Sequence, residues 1–386
     1  ATSLPHAVLV PVPALAGGRS RRAMGGVTPD VQPPSKRQRV GEATEAAPAI
    51  PLVDIGPFLA ADVPGRDAPL PEGALAAARR WRGAFSAQGF AQVVGHGVPD
   101  GVIEAAYDAA RRFFALPQEE KSRCDLGKGY GAGGYTRQGT ERVSATASRP
   151  DGSKLLGAGR ARPPDRVESM VHRGAPSEMH PEGLDGYREA VGRYHDELLR
   201  LTRSVMRITA CSLDLPLDHF DEFFFADGRA DRAHCLGECS LRLAYYPAFR
   251  EGEEPLPGQL RYGEHTDYTG FTILWQDHNA SGPQTAREGL RPPPGGLQVQ
   301  FPDGAWVDAP PVPGTHANDL DQHGAFTINA GDLIQVWTND VFLSNTHRVL
   351  NPPPGDRHDR VSMPFFTGPS NDTVIEVLPT CVGPDR

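Results

Sequence analysis

From Ser240 to Phe366 the chain repeats one pattern, a short β-branched or aromatic run followed by a cluster of Gly, Pro, Asn and Asp. The runs are Ser240 to Tyr246, Phe271 to Trp275, Leu297 to Phe301, Ala325 to Ile328, Leu333 to Trp337 and Val361 to Phe366. Many short strands with turn-formers between them predict a sandwich or a jelly roll. The polar stretches 277–295 and 312–324 then become loops at the rim of the roll, where binding residues commonly sit.

The first half reads differently. Ile50-Pro51-Leu52-Val53-Asp54 opens the folded part with a short strand, and 72–88 places Leu75, Ala78, Trp81 and Phe85 on one helical face. Phe90 to Val94 reads as a strand, Val102 to Leu116 as a helix stopped by Pro117, and Leu184 to Leu213 as the longest helix. The stretch 127–181 is rich in Gly, Arg, Pro and Ser and reads as loops, with the character of a mobile cover. The fold class expected is therefore mainly β with flanking helices (α+β). It divides into an N-terminal region over 49–181 and a helix-backed core over 182–386.

Residues 1–48 lack apolar periodicity and read as a disordered basic tail. Arg19, Arg21-Arg22 and Lys36-Arg37-Gln38-Arg39 suit an organellar or nuclear address, or no address at all, and the chain starts at Ala1 without an initiator Met. The net charge of −9 argues against a nucleic-acid-binding body. No apolar run reaches the roughly 18 residues of a membrane span. Five cysteines do not make a disulfide framework, which favours a reducing, intracellular setting with the cytoplasm first. His234-Cys235 with Cys239 lacks a second ligand pair for zinc and reads as ordinary thiols. Oligomeric state leaves no signature.

His265-Thr266-Asp267 precedes an apolar run, and in extended chain residues i and i+2 share a face. Far downstream, His347 lies in Asn345-Thr346-His347-Arg348-Val349 before a Pro-rich turn. Two imidazoles and one carboxylate on one face of an octahedron leave open positions for a cosubstrate and dioxygen, the arrangement of a mononuclear iron(II) oxygenase. A His-x-Asp pair alone is common by chance. Among thirteen histidines, His278, His316 and His323 fall in polar loops and His358 in a turn, whereas His347 sits at a strand edge. Arg360-Val361-Ser362 follows on a predicted strand, its guanidinium and hydroxyl on one face, as a fork for a carboxylate.

With these residues the chain resembles the iron(II)- and 2-oxoglutarate-dependent dioxygenases of the isopenicillin N synthase-like family, over roughly 50–370. Gly295-Gly296-Leu297-Gln298-Val299, Trp306-Val307 and Asn329-Ala330-Gly331-Asp332 add to the likeness. The resemblance implies a double-stranded β-helix (jelly-roll) core, with His265, Asp267 and His347 holding iron(II). It also implies Arg360 and Ser362, aided by Tyr246, as the holders of 2-oxoglutarate. The family's Asn-x-Tyr before Pro is changed here to Ala244-Tyr245-Tyr246-Pro247. The implied reaction consumes dioxygen and decarboxylates 2-oxoglutarate to succinate and carbon dioxide while a small-molecule metabolite is oxidised, most often by hydroxylation, with ascorbate as a supporting reductant. Tyr130, Tyr135 and Arg137 in the Gly-rich segment are candidate substrate contacts. Two alternatives stay open: an iron oxidase or cyclase of this fold that dispenses with 2-oxoglutarate, and a binding module without turnover.

Overall fold

A computed structural model gives the structure of the chain and describes residues 49–61, 69–127, 133–143, 162–173, 180–277, 295–312, 324–353 and 355–383. The basic tail, Tyr130, the histidines 278, 316 and 323 and most of both polar rim stretches lie outside the described residues.

Twelve strands form two sheets among the described residues. β1 (Leu52–Asp54), β2 (Phe90–Val94), β3 (Gly134–Thr136), β4 (Glu168–Arg173), β5 (Ser240–Tyr246), β7 (Phe271–Gln276), β10 (Phe326–Ala330) and β12 (Arg360–Phe366) make the larger sheet, ordered β1-β2-β10-β7-β12-β5-β4-β3. β6 (Tyr262–His265), β8 (Leu297–Gln300), β9 (Trp306–Asp308) and β11 (His347–Val349) make the smaller, ordered β6-β11-β8-β9. Phe90, Ala244 and Tyr246 from the first sheet and Tyr262, Leu297, Val299 and Val349 from the second share one buried cluster, so the sheets face each other as a jelly roll.

The helices are α1 (Gly56–Ala61), α2 (Glu72–Gln88), α3 (Asp100–Phe114), α4 (Gln118–Ser122), α5 (Tyr187–Ser212), α6 (Asp221–Phe224) and α7 (Asp332–Trp337). The apolar faces of α2, α3 and α5 join β7, β10 and β12 in the main core, where Trp81 meets Phe85 and Phe271 and donates from Nε1 to Thr209 Oγ1 at 3.0 Å. Each such fully buried aromatic contributes about 1.5–3 kcal/mol. The helix α2 ends at Gly89, whose positive φ of 61° closes the last turn onto Phe85 O; a Cβ there would lie 2.2 Å from Leu343 O. No helix of the described residues is long and apolar enough to cross a membrane.

Two expectations change. The stretch 127–181 is not all loop: β3 and β4 lie in it, and β4 pairs along its whole length with β5. Its polar residues are buried because each finds a partner, Glu168 on Lys121 Nζ at 2.8 Å, Ser169 on Glu141 at 2.9 Å and His172 on the Tyr187 hydroxyl at 3.0 Å. Because β1 to β4 and the C-terminal strands share one sheet, the regions 49–181 and 182–386 are one body. Second, Leu333 to Trp337 is helical and not a strand. Its β-branched composition is overridden by anchoring of its N-terminus: Asp332 N donates to Asp267 O at 2.7 Å, and Leu333 N to Thr269 O at 3.3 Å.

Candidate metal centre

The remote His347 reaches His265 through the smaller sheet. β11 runs antiparallel to β6 with His347 directly opposite His265, and their rings stand 4.2 Å apart between centroids. β6 ends at His265, and Asp267 belongs to the loop that follows, not to an extended strand. That loop is folded back by its bonds to the start of α7. Gly331 permits the fold: a Cβ on it would lie 2.3 Å from Thr269 O and 2.8 Å from the carbonyls of Asp267 and Gly270.

His265 Nε2 lies 3.7 Å from Asp267 Oδ1, and His347 Nε2 lies 3.8 Å from Asp267 Oδ2. Among the described residues these three form the one group of His, Cys, Asp and Glu side chains that could hold a metal ion. Each imidazole has Nδ1 against a backbone carbonyl, His265 on Gly263 O at 2.8 Å and His347 on Asn345 O at 3.2 Å. A carbonyl only accepts, so Nδ1 carries the proton and Nε2 presents its lone pair to the centre. Burial, and then the neighbouring His347, push His265 down to about 3, which keeps it neutral. Burial alone would raise the Asp267 carboxyl, but His347, His265, Asn329 and Thr272 outweigh it and hold it below the usual range. Thr272 Oγ1 at 2.6 Å and Asn329 Nδ2 at 2.8 Å both donate to Oδ2. The donor set of two imidazoles and an ionised carboxylate suits iron(II).

A second feature lies across the roll. Arg360 is buried on β12 opposite Tyr246, its guanidinium 5.1 Å from that ring's centroid, and Ser362 lies between Ala244 and Gln276 in register. Arg360 Nη2 donates to Gln276 Oε1 at 3.0 Å, while Nε and Nη1 are buried without a partner among the described residues. Unmet donors of a buried cation cost upward of about 1–3 kcal/mol each. An incoming carboxylate recovers that cost, so these residues fit the distal carboxylate of 2-oxoglutarate.

The family models agree with this geometry. "Non-haem dioxygenase in morphine synthesis N-terminal" matches residues 50–178 and "2OG-Fe(II) oxygenase superfamily" matches residues 237–369. The 2-oxoglutarate-Fe(II) type oxidoreductase ppzC of Metarhizium rileyi is 32% identical over 360 residues, covering 87% of this chain and 82% of the relative. The chain belongs to the 2OG-Fe(II) oxygenase superfamily. This oxygenase is also 28% identical to homoarginine-6-hydroxylase 2-ODD-233 of Oryza sativa subsp. japonica, over 86% of the chain and 89% of the relative. Its fold matches a full-length Neurospora crassa protein crystallised in complex with alpha-KG and thymine at a TM-score of 0.64, with 28% identity over 86% of this chain and 90% of that one. It is thus an enzyme whose cofactors are iron(II) and 2-oxoglutarate and whose substrates are small molecules.

The three candidates for substrate contact fare unevenly in this oxygenase: Tyr130 lies outside the described residues, and Arg137 is exposed beyond β3. Tyr135 is buried, its hydroxyl engaged by Glu168 and Gln118 and its ring packed on Phe113. That hydroxyl is pushed well above its ordinary range, by burial first and then by Glu168. Sequence reasoning gave no role to Asn329, though its segment adds to the family likeness, and did not find Thr272 or Gln276; all three orient the site from ordinary strand positions. Nor did it find the buried ion pair of Arg242 and Glu141, 2.8 Å apart, with Arg242 Nη1 donating to Tyr262 OH at 2.6 Å. Tyr262 in turn lies edge-on to His265, so this charged wall adjoins the centre.

Proposed function

We propose that the protein hydroxylates a small polar metabolite, with His265, Asp267 and His347 as the iron ligands and Arg360, Ser362 and Tyr246 around the distal carboxylate of 2-oxoglutarate. The observation that carries this reading is the buried Arg360 guanidinium with two unmet donors, set in the same roll as a triad of two imidazoles and a carboxylate. Iron(II) with 2-oxoglutarate supplies the oxidation, with decarboxylation of the cosubstrate to succinate. The chain's own residues present two lone pairs and a charge on one side, hold the carboxylate of the cosubstrate on the other, and keep bulk water from both.

The polar character of the substrate is supported by the Glu141–Arg242–Tyr262 wall beside His265. It also agrees with relatives that are named for homoarginine or hold thymine. The test is turnover: protein supplied with iron(II), ascorbate and 2-oxoglutarate releases succinate, and a polar metabolite from a substrate screen accelerates that release and gains one oxygen atom by mass. Succinate at background in iron-loaded protein would sink the reading. Oxidation or ring closure of the substrate with dioxygen and no consumption of 2-oxoglutarate would replace it with the oxidase or cyclase alternative.

A further inference from the structure

Four arginines are buried among the described residues, and they divide into two kinds. Arg166 is paired with Glu253 at 2.7 Å and Arg242 with Glu141 at 2.8 Å, so each carries its own counter-charge. Arg261 and Arg360, each 1% exposed, form no ion pair among the described residues. A buried cation without a paired anion is expensive, and two close together are more so.

These two are close together. Arg261 Nη2 donates to His358 O at 2.5 Å, two residues before Arg360 on the same strand approach, and Arg261 Nε is buried without a partner. After burial itself, Arg360 is the main influence that pushes the Arg261 guanidinium down, to about 10, and Tyr246 is the next group to act on it. The nearby carboxylates are already committed: Asp356 to the His358 ring, and Asp359 to Arg111 at 2.9 Å and to the Tyr245 hydroxyl at 2.8 Å. Arg261 directly precedes β6, the strand that ends in His265, so it stands at the end of that strand away from the metal ligands, where its bond to His358 O ties it to the chain entering β12 just before Arg360.

We infer that Arg261 is a second cosubstrate-binding guanidinium. One distal carboxylate enters between Arg360 and Arg261, accepts from both guanidiniums, offsets one of their two charges, and makes the pocket selective for a 2-oxo acid with a carboxylate at its far end. The inference rests on the 2-oxoglutarate reading above and goes beyond the Arg360 and Ser362 pair. Two guanidiniums sharing one carboxylate need no internal acid, which accounts for both unpaired arginines with one ligand.

The experiment is anaerobic titration of the iron(II) protein, following the visible metal-to-ligand charge-transfer absorption, with 2-oxoglutarate and with 2-oxopentanoate, which has the same chain length and no distal carboxylate. Arg261→Gln is expected to raise the Kd for 2-oxoglutarate at least 10-fold and leave that for 2-oxopentanoate within 2-fold. Arg261→Lys, which keeps the charge without the fork, should fall between, and it serves as the variant of record if the glutamine protein does not fold. Unchanged 2-oxoglutarate affinity, or equal weakening for both acids, overturns the inference. Wild-type binding of 2-oxoglutarate and its loss in Arg360→Gln test the underlying reading separately, so either claim can fail alone.

Discussion

At the scale of single residues, the centre depends on protonation states that are fixed before any ion arrives. Gly263 O and Asn345 O fix the tautomers of His265 and His347, and Thr272 and Asn329 fix the carboxylate of Asp267. Asp267→Ala removes the only charged ligand, and metal analysis of the purified variant should find iron at background with the circular dichroism spectrum unchanged. Stoichiometric iron in that variant would refute the triad as drawn. Asn329→Leu should retain iron but bind it more weakly, by about 10–100-fold as for other groups that orient metal ligands. The triad was legible in the sequence because His-x-Asp followed by a strand-edge His is a pattern with a chemical reason. The roles of Thr272, Asn329 and Gln276 were not, since a polar residue inside a strand looks the same whether it faces a ligand or water. Arg261 was overlooked for the same cause: nothing in a sequence says that a charged residue is 1% exposed.

At the scale of elements, α2, β2 and β5 were read nearly to the residue because each has a Gly or Pro at an end, and β12 because Val361, Met363 and Phe365 alternate along it. β4 was hidden, as Glu168 and His172 break the apolar pattern and are paid for by Lys121 and Tyr187 far away in the sequence. The helix α7 was hidden by Ile334 and Val336, which favour strands when considered alone. Its start carries a prediction. Gly331 has φ −94° and ψ 177°, values open to any residue, so its role is spatial and not conformational. Gly331→Ala must push a Cβ against three backbone carbonyls of the Asp267 loop, which cannot rotate away as a side chain would. Overpacking of this kind costs about 1–3 kcal/mol. We expect a lower Tm together with weaker iron binding, although no ligand is altered; a variant with normal iron affinity would show that the loop adjusts without moving Asp267.

At the scale of the molecule, one sheet runs from β1 to β12 and back to β3, so its acid sensitivity should be that of a single cooperative unit. Three histidines held below their ordinary range set that sensitivity. Burial, and then His180, push His172 down to about 4; burial, then Arg232 and His172, push His195 down to about 3; His265 stands at about 3. In the unfolded chain each returns to about 6.5. The folded value is the lower one, so the unfolded state binds more protons between the two. The stability held by the neutral rings is complete above about pH 6.5 and drains away as the pH falls toward 4 and then 3. From pH 6.5 to 5 each such ring costs on the order of 2 kcal/mol. Thermal unfolding of metal-free protein, which removes iron release as a second source of acid sensitivity, should therefore show Tm falling steeply below pH 6.5. His195 is the cleanest test because it is no ligand, both its ring nitrogens lack a partner among the described residues, and it packs edge-on against Phe365 at 5.1 Å. His195→Leu keeps the apolar contact and removes the proton acceptor, so its Tm should fall less over the same pH range. If the variant keeps the full acid slope of the parent, His195 is not one of the groups through which acid unfolds the sheet.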